Sequence, residues 1–354
     1  MRYGFDDLKR GIAAFAAGLG RITIMEVCGT HTFCIRKYGI RQLLPENIRL
    51  VSGPGCPVCV TAQRDIAAAI GIARQKDVIF TCFGDMMRVP CGDVSLYSLY
   101  EEGRDIRIVT SPLDVLKIAE DNPSKQVVYF GIGFETTAPL TAALIEAADR
   151  MGLENLSVLS VHKTMPEAIK HLLSGNNGID ALICPGHVAA VTGSDAFDFI
   201  PSLLGKPAAV SGFEAYDIMS AILCLTGMLS RGEKKCVNMY PRAVRREGNR
   251  EALRLIDKVF RKSSAVWRGL GEIEGSGLEI RDSYSKYNAA LRFEISTDDV
   301  PEARGCICSQ ILCGKKVPTD CIHFGRTCTP RSPLGPCMVS SEGSCAAYYR
   351  YGGE

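Results

Sequence analysis

The sequence predicts an α/β protein: two Rossmann-like parallel-sheet domains facing each other across a cleft, followed by a C-terminal region rich in cysteine. Three observations predict it. Eight short, β-branched apolar runs alternate with helical patterns through most of the chain. Seven of those runs are followed by motifs in which Gly and Pro accompany Cys, His, Asp or Glu. Beyond about residue 232 the alternation stops and cysteines gather. Strands alternating with helices form parallel sheets covered on both faces. Ligands bind beyond the carboxyl ends of such strands, where Gly and Pro let the backbone turn sharply or approach a ligand.

Taken in order, the N-terminal stretch carries Asp6 and Asp7 ahead of its apolar residues, which predicts an amphipathic helix and not a signal peptide. The predicted strands are 21–27, 48–52, 77–82, 106–110, 126–132, 156–161, 180–184 and 208–212. Helical patterns occupy 61–75, 111–121 and 138–152, and a long one spans 215–232. The polar stretch "DNPSKQ" at 121–126 divides the strands into two groups. This gives domain I over 1–124, domain II over 125–232 and a C-terminal domain over 233–354, whose last residues are expected to pack back toward domain I. That last domain holds one more helix, roughly 249–262, and the only tryptophan, Trp267.

Composition excludes several classes. Hydrophobic residues make up 46% of the 354 and charged residues 23%, as in a globular protein. The net charge is +2, with no basic block beyond Arg242 to Arg250, which argues against nucleic-acid binding. The longest apolar run, 218–229, falls short of the ~20 residues that cross a bilayer. A cytoplasmic protein is therefore expected. "GIGFETT" contains Gly131-x-Gly133 but lacks the full dinucleotide fingerprint.

Sixteen cysteines in so large an α/β chain point to metal or redox chemistry rather than a disulfide scaffold. Seven lie in the tail, at 306, 308, 313, 321, 328, 337 and 345. Four thiolates can hold zinc or an iron–sulfur cluster. The tail has no Cys-x-x-Cys knuckle, and Cys321, Cys328, Cys337 and Cys345 are separated by six to eight residues, with Pro330, Pro333 and Pro336 between them. That spacing suits a bulky [4Fe–4S] cluster better than one small ion, with zinc the alternative. Near the other end, Cys56-x-x-Cys59 reads as a redox dithiol, half a zinc site or a clamp for a cluster.

"MEVCGTHT", "SGPGCPVCV", "FGDMMRVP", "GFETTAP" and "CMVSSEGSCAAYY" together resemble the HypD family of [NiFe]-hydrogenase maturation proteins, from about residue 5 to 351. The resemblance implies two α/β domains with a cysteine-rich region carrying a [4Fe–4S] cluster. It implies a complex with the small protein HypC that carries the iron of the Fe(CN)2CO unit. Cyanide would come through HypE, prepared by HypF from carbamoyl phosphate, and the unit would pass to the hydrogenase large-subunit precursor. By the same resemblance Cys28 is the iron ligand with His31 beside it, and Cys56 and Cys59 are the family's thiol pair. Cys321, Cys328, Cys337 and Cys345 hold the cluster, and Glu342 stands in the "SEG" segment. Cys306 and Cys308 also resemble a family pair, so the choice of four ligands stays open.

Several expectations follow. Low-spin Fe(II) favours a thiolate donor. Backbone N–H groups at the start of the next helix should lower the Cys28 pKa. His31 is expected to support the ligand rather than bind iron itself. Cys56 and Cys59 should open a helix beginning near Thr61 and cycle as a redox dithiol, with the cluster close enough to exchange electrons. Asp85, Arg88, Asp93, Glu135, His162, Lys163, His187 and Glu214 are candidates to line the cleft. Cys34, Cys82, Cys91, Cys224, Cys236 and Cys313 are taken as structural. The leading reading is a redox-active assembly scaffold rather than a conventional enzyme. The alternative is a free-standing iron–sulfur thiol oxidoreductase. A radical S-adenosylmethionine enzyme is disfavoured because no Cys-x3-Cys-x2-Cys run occurs.

Overall fold

All eight apolar runs form strands in the computed structural model, which describes residues 4–175, 177–293, 295 and 300–352. They are β1 (Ile22–Glu26), β2 (Ile48–Ser52), β3 (Val78–Cys82), β4 (Ile106–Ile108), β5 (Gln126–Gly131), β6 (Leu156–Ser160), β7 (Ala181–Pro185) and β8 (Ala208–Ser211). Every residue of β3 and β7 is buried, as expected of strands covered on both faces. Three further strands follow: β9 (Cys236–Asn238), β10 (Phe260–Trp267) and β11 (Gly271–Ile280). The helices between them end where the sequence allows. Gly152, at φ +67°, stops Ala138–Met151, and the Asn249 side chain accepts the Ala252 N–H to start Arg250–Val259.

The strands assemble into two parallel sheets, with orders β2-β1-β7-β8-β9 and β4-β3-β5-β6. This corrects the division at 124/125, which cuts the second sheet between β4 and β5. The chain starts the first sheet, leaves it after β2 to build the whole second sheet, and returns at β7. Apolar runs show where strands are but not which strand each one joins, and consecutive strands are neighbours often enough to make a simple split attractive. The helix Ala215–Ser230 accordingly belongs to the first sheet. Its Ile218, Ile222 and Leu225 share a core with Leu8 and Ile12 of the N-terminal helix Phe5–Ala16 and with Ile24 and Ile183.

A second core lies behind the other sheet, where Ile79, Val127 and Tyr129 meet Leu144, Ile145, Phe260 and Ile280. A third joins the two sheets. Met25, Val27 and Val51 pack in one cluster with Phe80, Val128 and Phe130, and Cys308, Ile311, Leu312, Cys337 and Met338 of the cysteine-rich segment enter the same cluster. Among the described residues no helix is long and apolar enough to cross a membrane.

The antiparallel hairpin β10–β11 was not foreseen. The helix expected to reach about 262 stops at Val259 and runs directly into β10. Gly271, Gly275 and Gly277 dilute the strand signal of β11. At the hairpin tip Trp267 is buried, stacks on Phe134 with centroids 5.8 Å apart, and donates its indole N–H to Ser276 Oγ at 2.8 Å. Trp267→Ala should therefore cost about 3–5 kcal/mol, as for other buried Trp truncations, and Trp267→Phe less. Urea unfolding followed by circular dichroism measures both.

Candidate functional site

The first sheet reverses its strand order at β1: β2 lies on one side and β7 and β8 on the other. Such a switch point leaves a crevice beyond the strand ends. Cys28 stands there, two residues past β1, in an extended conformation that opens the helix Gly29–Lys37. Two glycines bring other segments against this turn, and a third packs the arriving tail on itself. A Cβ on Gly55 would lie 2.2 Å from the Cys28 amide nitrogen, and one on Gly29 would lie 2.6 Å from Glu342 Cβ. One on Gly343 would lie 2.2 Å from the Cys337 carbonyl oxygen. The Gly29 N–H also donates to the Gly55 carbonyl at 3.0 Å. Turns at residues 28–29, 55–56 and 342–343 therefore touch backbone to backbone.

The surroundings of Cys28 are dry and acidic. Glu26, buried at the end of β1, accepts the Cys28 N–H at 3.1 Å and the Thr32 hydroxyl. Burial pushes its carboxyl up to about 8. Glu342 accepts the Thr30 hydroxyl at 2.6 Å, and burial raises its pKa too. Burial, then the charges of Glu342 and Glu26, push the Cys28 thiol up to about 12, outweighing the N–H groups of His31 and Thr30. The expected lowering of this pKa is thus reversed: desolvation and like charge exceed what a helix start supplies. Without a cation beside it Cys28 holds its proton, and a metal ion would displace that proton.

His31 is fully buried, and its Nε2–H donates to the Gly212 carbonyl at 2.9 Å. That bond leaves Nδ1 as the lone-pair nitrogen, buried and without a hydrogen-bond partner among the described residues. Burial pulls the imidazole down to about 4, so the ring is neutral at pH 7. It stacks on Phe213 at 4.7 Å, and Phe213 stacks on His187 at 3.9 Å. The motifs after β1, β7 and β8 are locked together in this way.

Cys56 and Cys59 form a disulfide, with Cα atoms 5.2 Å apart. Cys56 caps the short helix Pro57–Val60, its sulfur accepting the Cys59 N–H at 3.2 Å. The longer helix starts at Gln63, two residues later than expected from Thr61. Both sulfurs are buried beside the shared core.

The tail folds around one small cavity. Cys306, Cys308, Cys321, Cys328, Cys337 and Cys345 line it with Ile311, Phe324, Leu334 and Met338. The four cysteines expected to act together do converge, and Cys306 and Cys308 join them. The interaction between the buried Cys308 and Cys337 thiols lowers the pKa of the first and, with burial, raises that of the second.

A family model described as the hydrogenase formation hypA family, HypD, matches residues 5–352. The chain belongs to the HypD family. It is similar to the hydrogenase maturation factor HypD of Rhodobacter capsulatus, 46% identical over 338 residues that cover 94% of this chain and 90% of that protein. The hydrogenase expression/formation protein HupD of Azotobacter chroococcum mcd 1 is 45% identical, covering 98% and 93%. The hydrogenase maturation factor HypD of Escherichia coli (strain K12) is 42% identical, covering 93% and 89%.

In this HypD-family chain the remaining candidates divide. Asp85 accepts the Ser340 hydroxyl at 2.8 Å, and Arg88 donates to the Pro330 and Arg331 carbonyls at 2.6 and 3.1 Å. Both tie the tail to the second sheet. Lys163 is buried 3.6 Å from Asp65, and His162 is held by Thr141 and Ser160. Asp93 is exposed on a turn, and Glu214 caps the helix Ala215–Ser230. Glu26 and Arg268 escaped the sequence reading. The signal for Glu26 was a carboxylate inside an otherwise apolar strand run; Arg268 had none, because its hairpin was not foreseen.

Two predictions follow. Gly55→Ala should cost about 1–3 kcal/mol through overpacking against Cys28, read from the shift of the urea midpoint. Glu135 is buried, accepts the Met165 N–H at 3.0 Å, and is raised by burial from 4.5 to about 7. Its folded pKa exceeds its unfolded one, so its contribution to stability is complete below about pH 4.5 and is lost as pH rises through about 7. Glu135→Gln keeps the acceptor and removes this slope. Between about pH 5 and about pH 8 the wild type should lose up to ~3 kcal/mol relative to the variant.

Proposed function

We propose that this chain is a redox-active assembly scaffold for [NiFe]-hydrogenase. In this reading it works with a HypC-type partner to hold the iron that becomes the Fe(CN)2CO unit. Cyanide reaches that iron through HypE after preparation by HypF, and the unit passes to the large-subunit precursor in the cytoplasm. The observation that carries the reading is the convergence at Cys28. A buried thiol at a switch point is flanked by Glu26 and Glu342, backed by the turn of the Cys56–Cys59 disulfide, and joined through Gly343 to the cysteine cavity.

The iron is cargo. Cys28 Sγ offers it a thiolate once the metal displaces the thiol proton, and the carboxyl groups of Glu26 and Glu342 lie beside this residue. His31 stays neutral, with its Nε2–H fixed on Gly212 and Nδ1 free as an acceptor. Reducing the Cys56–Cys59 disulfide takes two electrons and two protons and leaves two thiols; reoxidation returns them.

The donor set of the tail cavity supports the reading of a [4Fe–4S] cluster. Six cysteines line it with mostly apolar neighbours, and the buried Arg268, on the hairpin tip that touches Ser309, has side-chain donors without hydrogen-bond partners among the described residues, suited to an anionic group. Cys321, Cys328, Cys337 and Cys345 are the proposed ligands, with Cys306 and Cys308 on the same cavity. When bound, such a group supplies one-electron transfer.

The disulfide favours a second reading, a free-standing thiol oxidoreductase, and one experiment separates the two. The protein is purified anaerobically with its small partner and examined by infrared and Mössbauer spectroscopy. The scaffold reading expects cyanide and CO bands that fall at least tenfold in Cys28→Ala while the cluster signal persists. Bands that survive in Cys28→Ala would remove Cys28 as the ligand. A cluster signal with thiol turnover and no diatomic bands under any partner condition would favour the oxidoreductase.

A further inference from the structure

The β10–β11 hairpin carries a buried cation, Arg268, against the cysteine-rich segment. Its tip is wedged between the two redox elements. The Arg268 N–H donates to the Val60 carbonyl at 2.9 Å, one residue past the disulfide, and Thr61 pairs with Trp267. On the other side Gly269, at φ +82°, lies so close to Ser309 that a Cβ would fall 2.7 Å from the Ser309 Cα. The Gly269 carbonyl accepts the Cys313 thiol at 3.4 Å.

The Arg268 side chain is 1% exposed. Its Nε lies 3.2 Å from Glu302 Oε1 but is not aligned for a hydrogen bond, and Nη1 and Nη2 are buried without hydrogen-bond partners among the described residues. A buried guanidinium carries five N–H donors that need an anion. Glu302 is 42% exposed and is the single carboxylate paired with it among the described residues. Gly269 touches Ser309, the residue after the cavity cysteine Cys308, so the buried Arg268 is anchored next to the wall of the cavity. A cluster held by four thiolates is an anion, and reduction makes it more negative.

We infer that Arg268 is a positioning residue: a fixed counter-charge that sets the reduction potential of the cluster in the tail cavity, on the side facing the Cys56–Cys59 disulfide. Glu302 opposes it. The inference rests on the cluster reading above.

The test is an EPR-monitored dithionite titration of the anaerobically reconstituted full chain, with iron and sulfide measured per chain. Arg268→Gln should make the cluster at least tenfold harder to reduce at a given poise, a midpoint about 59 mV more negative for one electron. Arg268→Lys keeps the charge and should stay within threefold of wild type. Glu302→Gln should move the midpoint the other way by threefold or more. At full iron loading, an Arg268→Gln midpoint within threefold of wild type overturns the inference. So does an Arg268→Lys shift as large as that of Arg268→Gln. If Arg268→Gln does not fold or load, Glu302→Gln decides: easier reduction supports the counter-charge, and an unmoved midpoint overturns it. Wild-type protein that takes up no cluster overturns the cluster reading itself. A loaded wild type with unmoved variants overturns only the role of Arg268.

Discussion

The geometry at the carboxyl ends of the strands depends on one steric constraint: three backbone turns touch where no side chain fits. Gly55 lies against Cys28, Gly29 against Glu342 and Gly343 against Cys337. These residues come from the start, the first quarter and the end of the chain. Their contact places a thiol, a disulfide and a cysteine cavity in one neighbourhood. Backbone contacts leave far less freedom than contacts through long side chains, so the spacing of the three sulfur groups is built into the fold. This is the pre-organisation a multi-centre site requires.

The same packing gives the sulfur groups opposite electrostatic surroundings. Cys28 has carboxyl groups on both sides and no cation paired with it among the described residues, so burial and like charge hold it as a thiol. Cys308 and Cys337 instead lie behind Ser309, which the tip of the hairpin carrying the buried Arg268 touches. An acidic, dry pocket welcomes a cation and a cation-backed cavity welcomes an anion. In the proposed reading the iron cargo goes to the first and the cluster to the second. The two metals would then be distinguished by the sign of the field around otherwise similar cysteine ligands.

Much of this was legible in the sequence, for identifiable reasons. Strands that are largely covered read as short apolar, β-branched runs, and this makes β1 to β8 legible, the part-exposed edge strand β4 included. The motifs after them carried residues that strand termination alone does not require, which located the functional side of the sheets. Sheet membership was not legible, since pairing order depends on tertiary packing that local pattern does not encode. The hairpin was missed because its glycines and its exposed middle mask a strand pattern, and Arg268 was missed with it. The Cys28 thiol was misjudged in direction. A helix start is visible in sequence, but the burial that outweighs it and the arrival of Glu342 from more than three hundred residues away are not.

The path of the chain explains why the tail can hold position with so little regular structure of its own. It is tied to the first sheet by Thr30 to Glu342 and by Arg36 over the Tyr348 ring at 3.3 Å. It is tied to the second by Asp85 to Ser340 and by Arg88 to the carbonyls of Pro330 and Arg331. The hairpin tip wedges its middle at Ser309. Movement of either sheet alone would break one of these sets, and the sheets also share a core that runs from Met25 to Phe130 and on to Cys337. Hinge motion is expected where the interface between units is small and polar; here it is apolar and continuous. The three sulfur groups therefore ride on one body. Access to Cys28 then falls to a partner that reaches the strand ends, rather than to domains that open and close around it.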